Sequence, residues 1–184
     1  MRIIGGSKRG ATLLTPQGDD IRPTTDKVRL AIFNALFSRD AVRDAVVLDA
    51  FCGTGALGLE ALSQGAASCQ FFDSSPVSLA LARKNAAALE FTPRCHFGHH
   101  EAQHIKAKPV AVAPFTLVFL DPPYGKNLVA PVVTALQKGE WLAKDAWLVI
   151  ESERDAAFTL SGFACDFDKH YGIVRITLWR TAAL

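Results

Sequence analysis

With 184 residues, 49% of them hydrophobic, and a formal net charge of +2, the chain has the size and apolar content of one folded domain with a real core. No apolar run reaches membrane-spanning length, and the opening Met1-Arg2-Ile3-Ile4-Gly5-Gly6-Ser7-Lys8 lacks the apolar centre of a secretory leader, so a soluble cytoplasmic protein with no membrane partner is expected. The four cysteines, Cys52, Cys69, Cys95 and Cys165, form no C-x-x-C pair and suit reduced thiols.

Arg2-Ile3-Ile4-Gly5 and Ala11-Thr12-Leu13-Leu14-Thr15 flank a glycine-containing turn and predict a small β-hairpin. Pro23 ends what precedes it, Thr24 or Thr25 is a suitable helix N-cap, and Val28, Ile32, Ala35 and Leu36 follow helical spacing to about Ser38. Arg2, Lys8, Arg9, Arg22, Lys27 and Arg29 crowd this portion, and Arg2, Lys8, Arg9 and Arg22 are candidate contacts to nucleic-acid phosphates.

Val46-Val47-Leu48-Asp49 is a short apolar run ending in a carboxylate, followed by Gly53-Thr54-Gly55-Ala56-Leu57-Gly58, a G-x-G-x-x-G turn that opens a helix over 56–64 with Gly65 as its stop. Gly53 and Gly55 permit a tight turn with bare backbone towards a ligand, and Gly58 permits close helix–strand packing. A second strand over 69–73 ends in Asp73, about 20 residues on, where a ribose-hydroxyl acceptor is expected. Further along come a helix over 76–90, a weak strand over 94–97, a strong strand over 115–121, a helix over 128–138 and a strand over 146–151. Segments 164–169 and 173–179 alternate around a turn and read as an antiparallel pair. The sum is an α/β domain of about seven mostly parallel strands closing in a hairpin.

Charge selects the ligand over the glycine turn. Asp49 and Asp121 both close strands at that edge and would repel a pyrophosphate, whereas a sulfonium and an ammonium would be attracted by roughly 4 kcal/mol per close pair at an effective dielectric near 20. The site therefore reads as one for S-adenosylmethionine. Phe119-Leu120-Asp121-Pro122-Pro123-Tyr124-Gly125 supplies the second half of the chemistry. Prolines lack N–H donors and fix φ, so this turn offers carbonyl oxygens in a stiff frame. Asp121 and the Pro122 carbonyl can accept the two hydrogens of an exocyclic base amine, with Tyr124 stacked on a flipped base.

Arg2-Ile3-Ile4-Gly5-Gly6, Arg22-Pro23-Thr24-Thr25-Asp26, Asp49 to Gly58, Phe119 to Tyr124 and Tyr171-Gly172 together resemble the RsmD family of 16S ribosomal RNA guanine-N2 methyltransferases, in order and over essentially the whole chain. The resemblance implies a Rossmann-like class I methyltransferase core over 41–184, with a hairpin-and-helix extension over 1–40. It also implies S-adenosylmethionine as cofactor and methylation of a guanine, position 966, in the small subunit or its assembly intermediate; a monomer is the default expectation. Cofactor contacts would come from Arg22, Thr24, Asp49, Phe51, Cys52, Gly53, Thr54, Gly55, Asp73, Ser74, Ala102, Gln103 and Asp121, and catalysis from Asp121, Pro122, Pro123 and Tyr124. Two departures stand out. Asp73 occupies a place where the family usually has glutamate, and the adenine contact within Gly98 to Gln103 is not fixed by the pattern.

Other residues point elsewhere only weakly. His99, His100, Glu101 and His104 lack a closed metal-ligand set, so no metal is expected. Cys52 reads as a small buried thiol, Trp141, Trp147 and Trp179 as core or lid, and Glu151 equally as an acid bordering the site or as a solvated strand-end acid. A DNA adenine or cytosine amino-methyltransferase shares both motifs, but such enzymes usually carry an added recognition domain. An NAD-binding oxidoreductase has only the glycine pattern in its favour.

Overall fold

Five strands run parallel: β1 (Val46–Asp49), β2 (Ser68–Asp73), β3 (Cys95–His99), β4 (Phe115–Leu120) and β5 (Leu142–Glu153). Two more, β6 (Phe163–Tyr171) and β7 (Val174–Thr181), complete a single sheet in the order β3-β2-β1-β4-β5-β7-β6, with β7 antiparallel to both neighbours. This is the Rossmann-like class I methyltransferase fold. The computed structural model describes residues 1–16 and 25–182, and within them no helix is long and apolar enough to cross a membrane.

Alternation along the central strands divides the core in two. Val47, Leu117, Phe119 and Val149 face one side, under α1 (Asp26–Phe37), α2 (Ala56–Ser63) and α3 (Pro76–Ala88). Leu48, Val118, Leu120, Leu148 and Ile150 face the other, under α4 (Val129–Lys138), whose Val129, Val132, Val133 and Leu136 are all buried. Burial of both faces is why these strands read as continuous apolar runs. Trp141 and Trp147 are buried core residues, as expected.

Helix α1 starts where the sequence places it. Asp26 lies in its first turn, and the Thr25 hydroxyl caps it by accepting from the Val28 N–H at 3.3 Å. Arg22, Pro23 and Thr24 lie outside the described residues. The N-terminal hairpin is present as a short antiparallel pair around a 3-10 turn at Gly6–Lys8: the Ile3 N–H donates to Ala11 O (2.9 Å), the Gly10 N–H to Ile3 O (2.8 Å) and the Leu13 N–H to Met1 O (3.0 Å), with Arg2 bridged to Thr12, while Glu60 takes the Ile4 and Gly5 N–H groups. Strand β5 begins at Leu142 instead of 146, its polar first half recruited by backbone pairing to β4 with a register shift between Phe115 and Leu117.

The N-terminal segment lies along α2 and contributes Ile3 and Leu13 to the same core as the sheet. Because α2 runs back from the carboxyl ends of the strands, the turn at Gly6–Lys8 sits beside the end of α2, where the Ser63 hydroxyl accepts from the Lys8 N–H and donates to the Gly5 carbonyl. That is the end of the sheet opposite the glycine turn.

Candidate active site

The carboxyl ends of β1, β2, β4 and β5 meet at one edge. From β1 the chain enters a turn held between the neighbouring strands: the Ala50 N–H donates to Phe119 O at 3.0 Å and the Cys52 N–H to Phe72 O at 2.9 Å. Gly53 (φ +51°) and Gly55 (φ +79°) adopt left-handed conformations, and Gly55 is the N-cap of α2. A Cβ on Gly53 would meet no atom within 4 Å, so its backbone faces open space. Gly58 is the opposite case, since a Cβ there would lie 2.4 Å from a ring carbon of Phe71 and 2.6 Å from Cys69 Sγ. The helix packs on β2 through an absent side chain.

Two carboxylates frame this turn. Asp73 accepts from the Gly53 N–H through Oδ2 (2.9 Å) and from the Ser75 N–H through Oδ1 (2.8 Å), which orients it and leaves lone pairs for a further donor. Asp49 is 2% exposed and accepts from the Gly58 N–H at 3.0 Å. Burial foremost, and the Asp73 charge, push its carboxyl up to about 7 against the opposing Gly58 bond. A cationic group above the turn would favour its ionised form. The Cys52 thiol is pushed up by burial first, then by Asp49 and Asp73, so it is no nucleophile.

The turn is braced from α3 by Asn85, whose amide donates to Thr54 O (2.9 Å) and Leu14 O (3.0 Å) while its oxygen accepts from the Leu14 N–H (2.8 Å). The pattern reading passed over Asn85, one polar residue in an alanine-rich helix. Beyond β3, the His100 N–H donates to Asp73 O, Ala102 is buried, and His99 Nε2 lies 2.9 Å from Ser74 O. Gln103 and His104 both bond Glu101, so this segment folds on itself as a 3-10 turn at Ala102–His104. His100 packs edge-on against Phe72, and the described residues hold no cluster of three metal-ligating side chains.

Asp121 to Tyr124 leave β4 beside the glycine turn. Pro122 is buried, Asp121 half-buried, and Tyr124 40% exposed. Glu151, 7% exposed, stands one step past the Leu120–Ile150 register pair and so borders Asp121. A cavity of about 230 Å³ opens next to the proline corner, between Pro122, Pro123, Tyr124 and Leu128 on one side and Ser152, Glu153 and Phe158 on the other. The second wall carried no motif and was not foreseen.

The fold thus gathers Asp49, Phe51 to Gly55, Asp73, Ser74 and Asp121 to Tyr124 at one edge. It does not bring Lys8 and Arg9 there. Lys8 pairs with Glu90 at the opposite end, Arg2 with Asp26 at 3.8 Å, and Arg9 is exposed at the remote turn. Arg29, grouped with these charges by composition, is fully buried and donates to Arg2 O (2.5 Å) and Asp26 (2.8 Å).

The family model described as "Conserved hypothetical protein 95" matches residues 1–180. The chain belongs to this family, the RsmD family. Among its relatives, the "Putative rRNA methyltransferase YlbH" of Bacillus subtilis is 32% identical over 98% of both chains. The "Ribosomal RNA small subunit methyltransferase D" of Escherichia coli K12 is 37% identical, covering 83% of this chain and 75% of its own. The solved structure "Putative methyltransferase yhhF from Escherichia coli" superposes on this RsmD-family chain with a TM-score of 0.86 at 33% identity, covering 100% and 99% of the two chains.

Proposed function

We propose that this protein transfers a methyl group from S-adenosylmethionine to the exocyclic N2 amine of a guanine in 16S ribosomal RNA of the small subunit. The observation that carries the reading is the proline corner, Asp121 to Tyr124, set beside a glycine turn whose buried Asp49 favours a cation. The names of its relatives supply the substrate class.

The residues fit the cofactor. Gly53 offers bare backbone over open space, Asp73 is oriented with acceptor capacity to spare, and Asp49 places latent negative charge beneath the turn. Bound there, S-adenosylmethionine supplies an electrophilic methyl group. Asp121 and the Pro122 carbonyl accept the two amine hydrogens and turn the nitrogen lone pair out of conjugation, towards that methyl. Tyr124 stacks on the base in the adjoining cavity. No general base is required before transfer, so orientation supplies most of the rate, and the excess proton on the methylated nitrogen then passes to the Asp121 carboxylate that holds it. Lys8 and Arg9 enter this reading as phosphate contacts remote from the edge, and Arg2 as one nearer to it, since its neighbour Met1 touches Thr54 of the glycine turn.

Incubation with labelled S-adenosylmethionine and, separately, small subunits lacking the modification, free ribosomal RNA and DNA tests the reading. Label is expected as N2-methylguanosine from subunits. Label in DNA alone, or in no substrate, would overturn it.

A further inference from the structure

A second, larger hollow of about 810 Å³ adjoins the base-sized cavity, and Ala156, Ala157, Phe158 and Thr159 line both. One loop is therefore the shared wall of a small apolar chamber and a wide polar cleft. The cleft lies on the same edge as the proline corner, at the end of β5 and the β6–β7 turn. Its charged lining is Arg154, Arg175 and one acid, Asp155, with His170 beside them.

The two arginines do different work. Arg175 is held by Asp168 through Nε (2.9 Å) and Nη2 (2.6 Å), and its Nη1 donates to Ala156 O at 2.7 Å, so it braces the shared wall as half of a neutral pair. Arg154 donates only its Nη1, to Gly172 O at 3.2 Å, and pairs with no acid among the described residues. His170 is exposed at the rim, within electrostatic reach of Asp168, the acid that Arg175 already holds. The N-terminal cations Arg2 and Lys8 are, by contrast, already paired with Asp26 and Glu90.

We infer that the cleft at Arg154 and His170 holds the RNA backbone flanking the methylated base, with Arg154 the principal phosphate contact. The inference rests on the proposed reaction, because it takes the smaller cavity to hold the base. A flipped nucleotide stays joined to its neighbours, so a chamber for the base must open onto room for a charged strand. This adjoining pair of hollows has that form, and Arg154, which pairs with no acid among the described residues, lies in the wide part.

The test uses the full chain, small subunits lacking the modification, and a salt titration of their binding. Arg154→Ala is expected to weaken binding five- to tenfold at about 0.1 M salt and to reduce the log–log salt slope by roughly 0.7 for a lost single-strand phosphate contact. Its KM for subunits should rise by a similar factor, with kcat within about twofold and S-adenosylmethionine affinity unchanged. Arg154→Lys loses the bidentate geometry and keeps the charge, so it should recover most of the slope; an Arg154→Lys slope as low as that of Arg154→Ala would overturn a charge role. His170→Ala should give a smaller loss of the same kind. Unchanged affinity and slope in Arg154→Ala would overturn the inference, as would wild-type protein that does not bind subunits. Failure of the proposed reaction reads out differently, as subunit binding without methyl transfer.

Discussion

Two carboxylates are buried against the same helix and are treated in opposite ways. Glu60, on α2 and fully buried, accepts from Ile4 N–H (2.8 Å), Gly5 N–H (2.8 Å) and the Gln64 amide (2.7 Å). Asp49, nearly as buried, accepts from one backbone N–H at the start of α2. The first acid is saturated by its own chain and fastens the N-terminal segment to the domain. Among the described residues the second accepts from that one N–H, and burial raises its pKa, an arrangement intelligible where a cation is to be bound. The same contrast separates the two ends of the sheet. The end beside Lys8 is closed by ion pairs and capped turns, while the carboxyl edge keeps open backbone, spare acceptors and a cavity.

The largest expected effect breaks the open end. Asp121→Ala should lower kcat by about a thousandfold or more, because orientation of the amine carries most of the rate. S-adenosylmethionine affinity, by calorimetry, should stay within about tenfold of wild type. Near-normal turnover would refute the assigned role of Asp121.

Exchanging the two buried acids for amides sharpens the contrast. Glu60→Gln leaves an amide NH₂ facing buried N–H donors, so it should cost about 1–3 kcal/mol in chemical denaturation while cofactor affinity holds. Asp49→Asn should do the reverse: similar or greater stability at pH 8, with cofactor affinity down roughly 10- to 100-fold. The sign follows from linkage. Asp49's folded value is about 7, above its ordinary 3.8. Its ionisation thus costs nothing below pH 4, and the penalty grows to about 4 kcal/mol as pH rises through 7. In wild type, cofactor binding should weaken as pH falls below 7, since the neutral acid must give up its proton to meet a cation. Asp49→Asn should flatten both profiles, and a wild-type affinity level from pH 5.5 to 8 would contradict the charge argument.

How much of this was legible in the sequence follows from which groups make each feature. The run Val46 to Asp49, the glycine turn and the proline corner announce themselves, because burial on both faces demands apolar residues and positive φ demands glycine. The first half of β5 and the wall Ser152 to Thr159 are built by backbone pairing and loop path, which leave no side-chain signature. Composition placed Arg29 with surface cations; only packing shows it buried beneath the N-terminal segment. The short hairpin at residues 2–15 was legible in its strand-like residues and glycine turn, but the carboxylate 56 positions away that takes the Ile4 N–H and ties it to α2 was not.

The smallest effect separates two glycines that a pattern treats alike. At Gly58 the obstacle is space: alanine would press Phe71 and Cys69, neither of which can yield without disturbing β2, so Gly58→Ala should cost about 1–3 kcal/mol. At Gly53 there is space and the obstacle is φ, so Gly53→Ala should cost only about 1 kcal/mol. Its added methyl would nevertheless stand in the opening above the turn, where a ligand approaches bare backbone. Denaturation midpoints should therefore rank Gly58→Ala below Gly53→Ala. Loss of S-adenosylmethionine affinity, corrected for fraction folded, should rank them the other way. If Gly53→Ala binds the cofactor as wild type does, the turn supports the fold without touching the ligand.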